Sequence, residues 1–117
     1  ELASLPGQYS EPLGCILLAL DNECLVGGAA VRPMHKPDIY EMKRLYLRER
    51  WRGRGIGGQL VEGCLSFACE AGYAKMVLDT ELRLETAIRM YRKLGFIEIA
   101  QYYENPLKDI ISMEKEL

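Results

Sequence analysis

The sequence predicts an α/β sandwich whose sheet is mostly antiparallel with one parallel pair of neighbouring strands, and three observations lead there. Two apolar runs flank the turn-forming Asp21-Asn22-Glu23 and read as a hairpin. Residues 41 to 80 order as strand, glycine-rich loop, helix and strand, and a crossover of a dozen or more residues is what a parallel pair requires. A second helix and two further strands follow. A chain of 117 residues, 49% hydrophobic and 27% charged, suits one domain with one core, so residues 1–117 are read as a single unit.

Along the chain, residues 1 to 13, with Pro6-Gly7 and Pro12, read as irregular. Gly14 to Leu20 is a continuous apolar run, as in a strand covered on both faces. Cys24 to Val31 returns as its partner, and Gly27-Gly28 suggest a bulge there. Arg32 to Asp38 holds two prolines and forms a loop; Glu41 to Leu47 is the next strand. The helix after the glycine run, from Gln59 to Ala71, buries Leu60, Val61, Cys64, Leu65, Phe67 and Ala68 and stops at Gly72. Ala74 to Thr80 is a strand. A second helix sets Leu84, Ala87, Ile88, Tyr91 and Leu94 on one side and ends at Gly95. Ile97 to Tyr102 and Asp109 to Glu114 complete the sheet, separated by Glu104-Asn105-Pro106.

The most informative feature is Arg52-Gly53-Arg54-Gly55-Ile56-Gly57-Gly58, which joins a strand to a helix start. Successive small residues expose backbone N–H groups, and the helix dipole at that end favours an anion. Arg52 and Arg54 add positive charge suited to more than one phosphate. Two phosphate-loop patterns fit. Gly53-x-Gly55-x-x-Gly58 matches the dinucleotide fingerprint, with Asp79 where a ribose-binding acid would sit. Against it, Arg48-Glu49-Arg50-Trp51-Arg52 separates Leu47 from the first glycine, and the chain is too short for the paired halves of that fold. The rival pattern, Arg/Gln-x-x-Gly-x-Gly/Ala, reads as Arg52-x-x-Gly55-x-Gly57 and resembles the pyrophosphate loop of the GNAT family of acetyl-CoA-dependent N-acetyltransferases.

The resemblance extends over residues 41 to 102. Glu41 to Leu47 is similar to the family's fourth strand, Arg52 to Ala71 to its cofactor loop and helix, and Ala74 to Thr80 to its fifth strand. Ala87 to Phe96 is similar to the helix that follows. This resemblance implies a GNAT-like sheet whose parallel pair splays apart, helices on both faces, and acetyl-CoA as cofactor. It implies a main-chain grip on the pyrophosphate by Arg52, Gly53, Arg54, Gly55, Ile56, Gly57 and Gly58, and backbone pairing of Leu45, Tyr46 and Leu47 with the pantetheine arm. By the same resemblance Glu41 is the candidate general base, acting through a water, and Tyr91 the group beside the cofactor sulfur. Each has an alternative in the residues themselves: Glu41 as a carboxylate paired with Lys43, Tyr91 as a core aromatic. Tyr102, Tyr103 and Asn105 fall where family members often contact the acceptor, although sheet-edge aromatics before a turn explain them too.

Two departures stand out. The family often has Asn where this chain has Leu84, and its usual N-terminal strand and helix pair is missing, so the domain reads as N-terminally shortened. Such an edge would gain from a homodimer partner. The reaction implied is transfer of an acetyl group from acetyl-CoA to a primary amine, small molecule or peptide, by direct transfer in a ternary complex. The alternative is a non-catalytic acyl-CoA-binding module with a degenerate acceptor site.

Composition excludes other classes. A net charge of −2 argues against a general nucleic-acid binder despite the basic stretch Arg48 to Arg54. No apolar stretch approaches a membrane span and no leader opens the chain, so the expectation is a cytoplasmic protein with no membrane partner. Of the four cysteines, Cys64 and Cys69 are five apart in a helical stretch, while Cys15 and Cys24 lie on strands whose register would not oppose them. With His35 the single histidine and no CxxC pair, no metal site is expected, and reduced thiols in a reducing compartment are the plainer reading.

Overall fold

A computed structural model of the chain describes residues 2–5, 15–34, 38–43, 45–101 and 109–117. Its elements run β1 (Leu2–Leu5), β2 (Cys15–Asp21), β3 (Cys24–Pro33), β4 (Ile39–Met42), β5 (Tyr46–Leu47), a 3-10 turn (Glu49–Trp51), α1 (Ile56–Glu70), β6 (Lys75–Glu81), α2 (Glu85–Lys93), β7 (Ile97–Ile99) and β8 (Ile110–Glu116). The sheet order is β1-β2-β3-β4-β6-β8-β7, with β5 pairing β3 off that path. Every pairing is antiparallel except β4 with β6. The mixed sheet with one parallel pair is therefore the architecture that the sequence predicts.

The hairpin closes through a two-residue turn in which Asn22 (φ 49) and Glu23 (φ 69) are both left-handed, the geometry whose twist matches the flanking strands. Cys15 then lies opposite Val31 and Cys24 opposite Asp21, so the two cysteines do not face each other. The bulge falls one residue before the glycines, since Ala19 pairs Gly27 while Leu20 pairs Leu25, leaving Val26 as the extra residue.

Residues 2–5 correct the expectation of an irregular start. They pair antiparallel with β2, from Leu2 opposite Ala19 to Leu5 opposite Ile16. Four residues carry too little periodicity to be read as a strand; the sheet edge dictates their conformation. The β2 edge that suggested a second copy is thus covered by β1, which removes that argument for a dimer.

One core forms on one face. Tyr40 and Met42 of β4, Met76 and Leu78 of β6, and Ile111 and Met113 of β8 alternate onto the face that buries Leu60, Val61, Cys64 and Ala68 of α1 and Ile88 and Tyr91 of α2. Tyr40 is fully buried and stacks on Tyr73, with ring centroids 3.8 Å apart. Tyr91 meets Phe96 edge-on at 5.7 Å. Helices were expected on both faces; among the described residues both lie on this one. The reason is topological. β4 to β6 and β6 to β7 are successive parallel crossovers advancing the same way across the sheet, and right-handed crossovers of that kind leave their helices on the same side. The opposite pleat carries Glu41, Val77, Asp79 and Ser112.

Candidate active site at the splayed strands

The site begins with a missing hydrogen-bond ladder. β4 pairs β6 only from Ile39 opposite Lys75 to Glu41 opposite Val77, and beyond that point the two strands separate. On its other side the chain keeps hold of β3, but not in one register. Val31 pairs Met42 and Gly28 pairs Tyr46, a register shift of one residue between β4 and β5. That shift is a bulge, and it splits the single strand expected over Glu41 to Leu47 into β4 and β5.

The bulge also reverses which way the backbone points. Lys43 N–H bonds to Ala30 C=O, and Arg48 N–H to Val26 C=O, both on β3. From Arg48 backward, period-two alternation turns the N–H groups of Leu47 and Leu45 away from β3, toward the gap beside β6. Gly27 makes the approach of β5 possible: a methyl there would lie 2.6 Å from Tyr46 O and 2.8 Å from Leu47 Cδ1.

A cavity of about 250 Å³ occupies the gap. Its two rims differ in chemistry. Met42, Leu78, Leu84, Ala87, Thr80 and Tyr91 line it from the helix side, while Lys43, Asp79 and Glu81 project from the opposite pleat. Tyr91 is 5% exposed, and burial, with a smaller contribution from Cys64, pushes its hydroxyl up to about 12.

The glycine run leads into α1 beside α2, where a methyl on Gly57 would lie 3.6 Å from Met90 Sδ. Gly55 is the N-cap of α1 at φ 78, a conformation costly for residues with a Cβ. Ile56, Gly57 and Gly58, expected in the loop, are the first turn of α1. The first bond within the helix is Gln59 N–H to Gly55 C=O, so the preceding N–H groups have no partner in the helix. No acidic side chain sits in that turn and no side chain caps it, which keeps the positive end of the dipole uncompensated. A pyrophosphate fits such a cradle.

The arginines take two roles. Arg52 Nε donates to Leu47 C=O at 3.2 Å, tying the loop to the end of β5. Arg54 and Arg50 place their guanidinium carbons 4.9 and 5.7 Å from the Trp51 ring centre, holding positive charge against the indole.

Glu41 lies elsewhere. It is 3% exposed, on the pleat opposite Tyr91, with Oε1 3.4 Å from Arg32 Nε and Oε2 3.5 Å from Lys43 Nζ. It does not line the cavity. Leu84 is the N-cap of α2 and a cavity-lining residue; its side chain cannot cap the helix as an Asn would. Tyr102, Tyr103, Asn105 and His35 lie outside the described residues. Among the described residues no group of three or more His, Cys, Asp or Glu could hold a metal, and no helix is long and apolar enough to cross a membrane. Sequence reasoning missed Asp79, Glu81 and Ser112 as neighbours of the gap. Alternation along β6 carried the signal, since Asp79 follows Val77, the partner of Glu41, by one pleat.

Comparison with known proteins decides the family. The model of the acetyltransferase (GNAT) family matches residues 3–96. The chain belongs to the GNAT family. A GNAT relative from Schizosaccharomyces pombe, an uncharacterized N-acetyltransferase, is 38% identical over the whole of this chain and 72% of its own length. The chain spans 36% and 48% of the lengths of two further relatives, from Dictyostelium discoideum and Homo sapiens. Among GNAT-like structures, a putative acyl-CoA N-acyltransferase from Klebsiella pneumoniae superimposes with a TM-score of 0.79 at 25% identity, covering 88% of this chain and 72% of that one. PaiA N-acetyltransferase from Thermoplasma acidophilum, in complex with coenzyme A, shares the fold at a TM-score of 0.74 and 22% identity, covering 87% of this chain and 60% of that one.

Proposed function

We propose that this domain transfers an acetyl group from acetyl-CoA directly to a primary amine within a ternary complex. The observations that carry the reading are the gap where β4 and β6 part, lined by Tyr91, and the uncapped first turn of the helix that connects those two strands. In this reading the N–H groups of Gly55 to Gly58 hold the pyrophosphate, with Gly53 and Arg54 shaping the approach and Arg52 fixing the loop to β5. Acetyl-CoA supplies an activated thioester. The Leu45 and Leu47 N–H groups, with Tyr46 paired to β3 between them, form the edge against which the pantetheine arm lies and the thioester carbonyl is polarised.

Tyr91 acts by hydrogen bonding. An alkyl thiol ionises near about 8.5, so moving the proton from a hydroxyl near about 12 to a thiolate is uphill by roughly 5 kcal/mol. Its O–H therefore stabilises the leaving sulfur without giving up its proton. The amine must lose a proton, because an alkylammonium is neutral in only about one molecule in two thousand at pH 7. Glu41 is the proposed base through a water, and Arg32 and Lys43 hold its carboxylate in place.

A second reading, an acyl-CoA-binding module without turnover, draws support from the burial of Glu41 and from Leu84. Thiol release from acetyl-CoA across a panel of primary amines separates the two. Release that rises with amine concentration supports the transferase; tight acetyl-CoA binding with release no faster than hydrolysis favours the module.

A further inference from the structure

We propose that Thr80 is a further cofactor-binding residue: its hydroxyl accepts a hydrogen bond from the pantetheine amide nearest the thiol, and so sets the sulfur against Tyr91. The inference rests on the coenzyme A reading above and adds to it a side chain on the β6 wall of the gap.

Thr80 occupies what is otherwise a core position. It lies on the pleat of Met76 and Leu78, opposite Ile111 of β8 and facing the helices, and it is 7% exposed. An apolar side chain of the same shape would fill that place, and a buried hydroxyl without a partner is costly. Among the described residues the Thr80 side chain makes no hydrogen bond, and no fully enclosed side-chain oxygen is left unsatisfied. The Thr80 oxygen therefore opens onto the cavity that the residue lines. On that helix-side wall Thr80 and Tyr91 bring hydroxyls among the apolar side chains of Met42, Leu78, Leu84 and Ala87.

The arm of coenzyme A supplies what this oxygen lacks. It is an extended chain with secondary amides, and in a trans amide the N–H and the C=O point in opposite directions. An arm lying along β5 turns its carbonyl toward the N–H groups of Leu45 and Leu47, so the N–H of the same amide faces β6. On β5 the Leu47 carbonyl is already held by Arg52 Nε at 3.2 Å, which leaves that edge short of acceptors. Thr80 stands beyond Val77, the last residue of β6 paired with β4, where the strands have parted. It is two residues, about 7 Å, past Leu78 toward the end of the sheet where α1 begins. The phosphates lie at that end and the sulfur deeper, beside Tyr91, so the amide passes the level of Thr80 between them. A threonine oxygen accepts as readily as it donates, which suits it to the amide N–H.

Isothermal titration tests this with acetyl-CoA and with the nucleotide half of coenzyme A, which keeps the phosphates and lacks the arm. Thr80→Val, close in shape to the native residue, weakens acetyl-CoA binding by about three- to tenfold, the loss of one hydrogen bond, and leaves the affinity for the nucleotide half unchanged. Thr80→Ser keeps the hydroxyl and recovers the affinity for acetyl-CoA. In urea Thr80→Val is as stable as the wild type; a marked loss of stability would mean that the hydroxyl is bonded within the fold, and overturns the inference. An acetyl-CoA affinity indifferent to Thr80→Val overturns it too. So does an equal loss for both ligands, which makes the effect one of loop geometry, and so does a Thr80→Ser protein as weak as Thr80→Val, which makes it one of shape. A wild-type protein that does not bind acetyl-CoA overturns the coenzyme A reading and takes this one with it.

Discussion

Gly27→Ala should damage the cofactor site through the backbone of a neighbouring strand. The added methyl would lie 2.6 Å from Tyr46 O and 2.8 Å from Leu47 Cδ1. The leucine carbon can rotate away, but the carbonyl belongs to the β3–β5 ladder and moves only if β5 moves. Overpacking of this kind costs about 1 to 3 kcal/mol. For a chain of 117 residues that lowers the melting temperature by about 4 to 12 °C. The retreat of β5 also displaces the Leu45 and Leu47 N–H groups; weakening two hydrogen bonds worth about 0.5 to 1.5 kcal/mol each reduces acetyl-CoA affinity between about fivefold and a hundredfold. Gly28→Ala is the control. Its methyl would meet Leu17 O at 3.1 Å and Leu18 Cδ2 at 3.3 Å, both on β2, so stability falls but affinity does not. Urea denaturation gives the stabilities, and isothermal titration with acetyl-CoA gives the affinities. Equal affinity losses in the two variants, or none in Gly27→Ala, would refute the role assigned to β5.

The other predictions concern charge and protons. Gly57→Glu, and equally Gly55→Asp, sets a carboxylate at the uncapped end of α1 and should abolish acetyl-CoA binding by titration; unchanged binding refutes the loop assignment. Tyr91→Phe should lower turnover with little change in acetyl-CoA affinity. Because the folded hydroxyl sits at about 12 and an unfolded one near 10, the native state keeps a proton that the unfolded state loses between those values. Stability therefore falls across pH 10 to 12 by roughly 2 to 3 kcal/mol, a loss that urea titrations should find in the wild type and not in Tyr91→Phe. Glu41→Gln should reduce turnover at neutral pH, with partial recovery as the pH nears the amine's own pKa; lower stability with no such recovery leaves Glu41 only its ion pairs with Arg32 and Lys43.

Much of this architecture is legible in local signals. The helix ends at Gly72 and Gly95, the strand after α1 and the phosphate-binding glycines all follow from residues within a few positions of one another. What escapes the sequence depends on partners distant in the chain. The break between β4 and β5 arises from a register shift against β3, and nothing within Glu41 to Leu47 announces it. Leu2 to Leu5 is a strand because β2 offers an edge. Glu41 reads in sequence as a base or a carboxylate paired with Lys43, and nothing local announces that the sheet buries it, with Arg32 as a second cation beside it. Asp79, first noticed for a spacing that belongs to another fold, proves to border the cavity because β6 outruns its parallel partner.

Thermal unfolding with acetyl-CoA and with NAD, each at a hundred times its dissociation constant or at the solubility limit, tests most directly whether residues 52–58 serve coenzyme A. The account predicts stabilisation of about 2.7 kcal/mol by acetyl-CoA, near 10 °C for a chain of this size, and none by NAD. Protection by NAD with none from acetyl-CoA would contradict it.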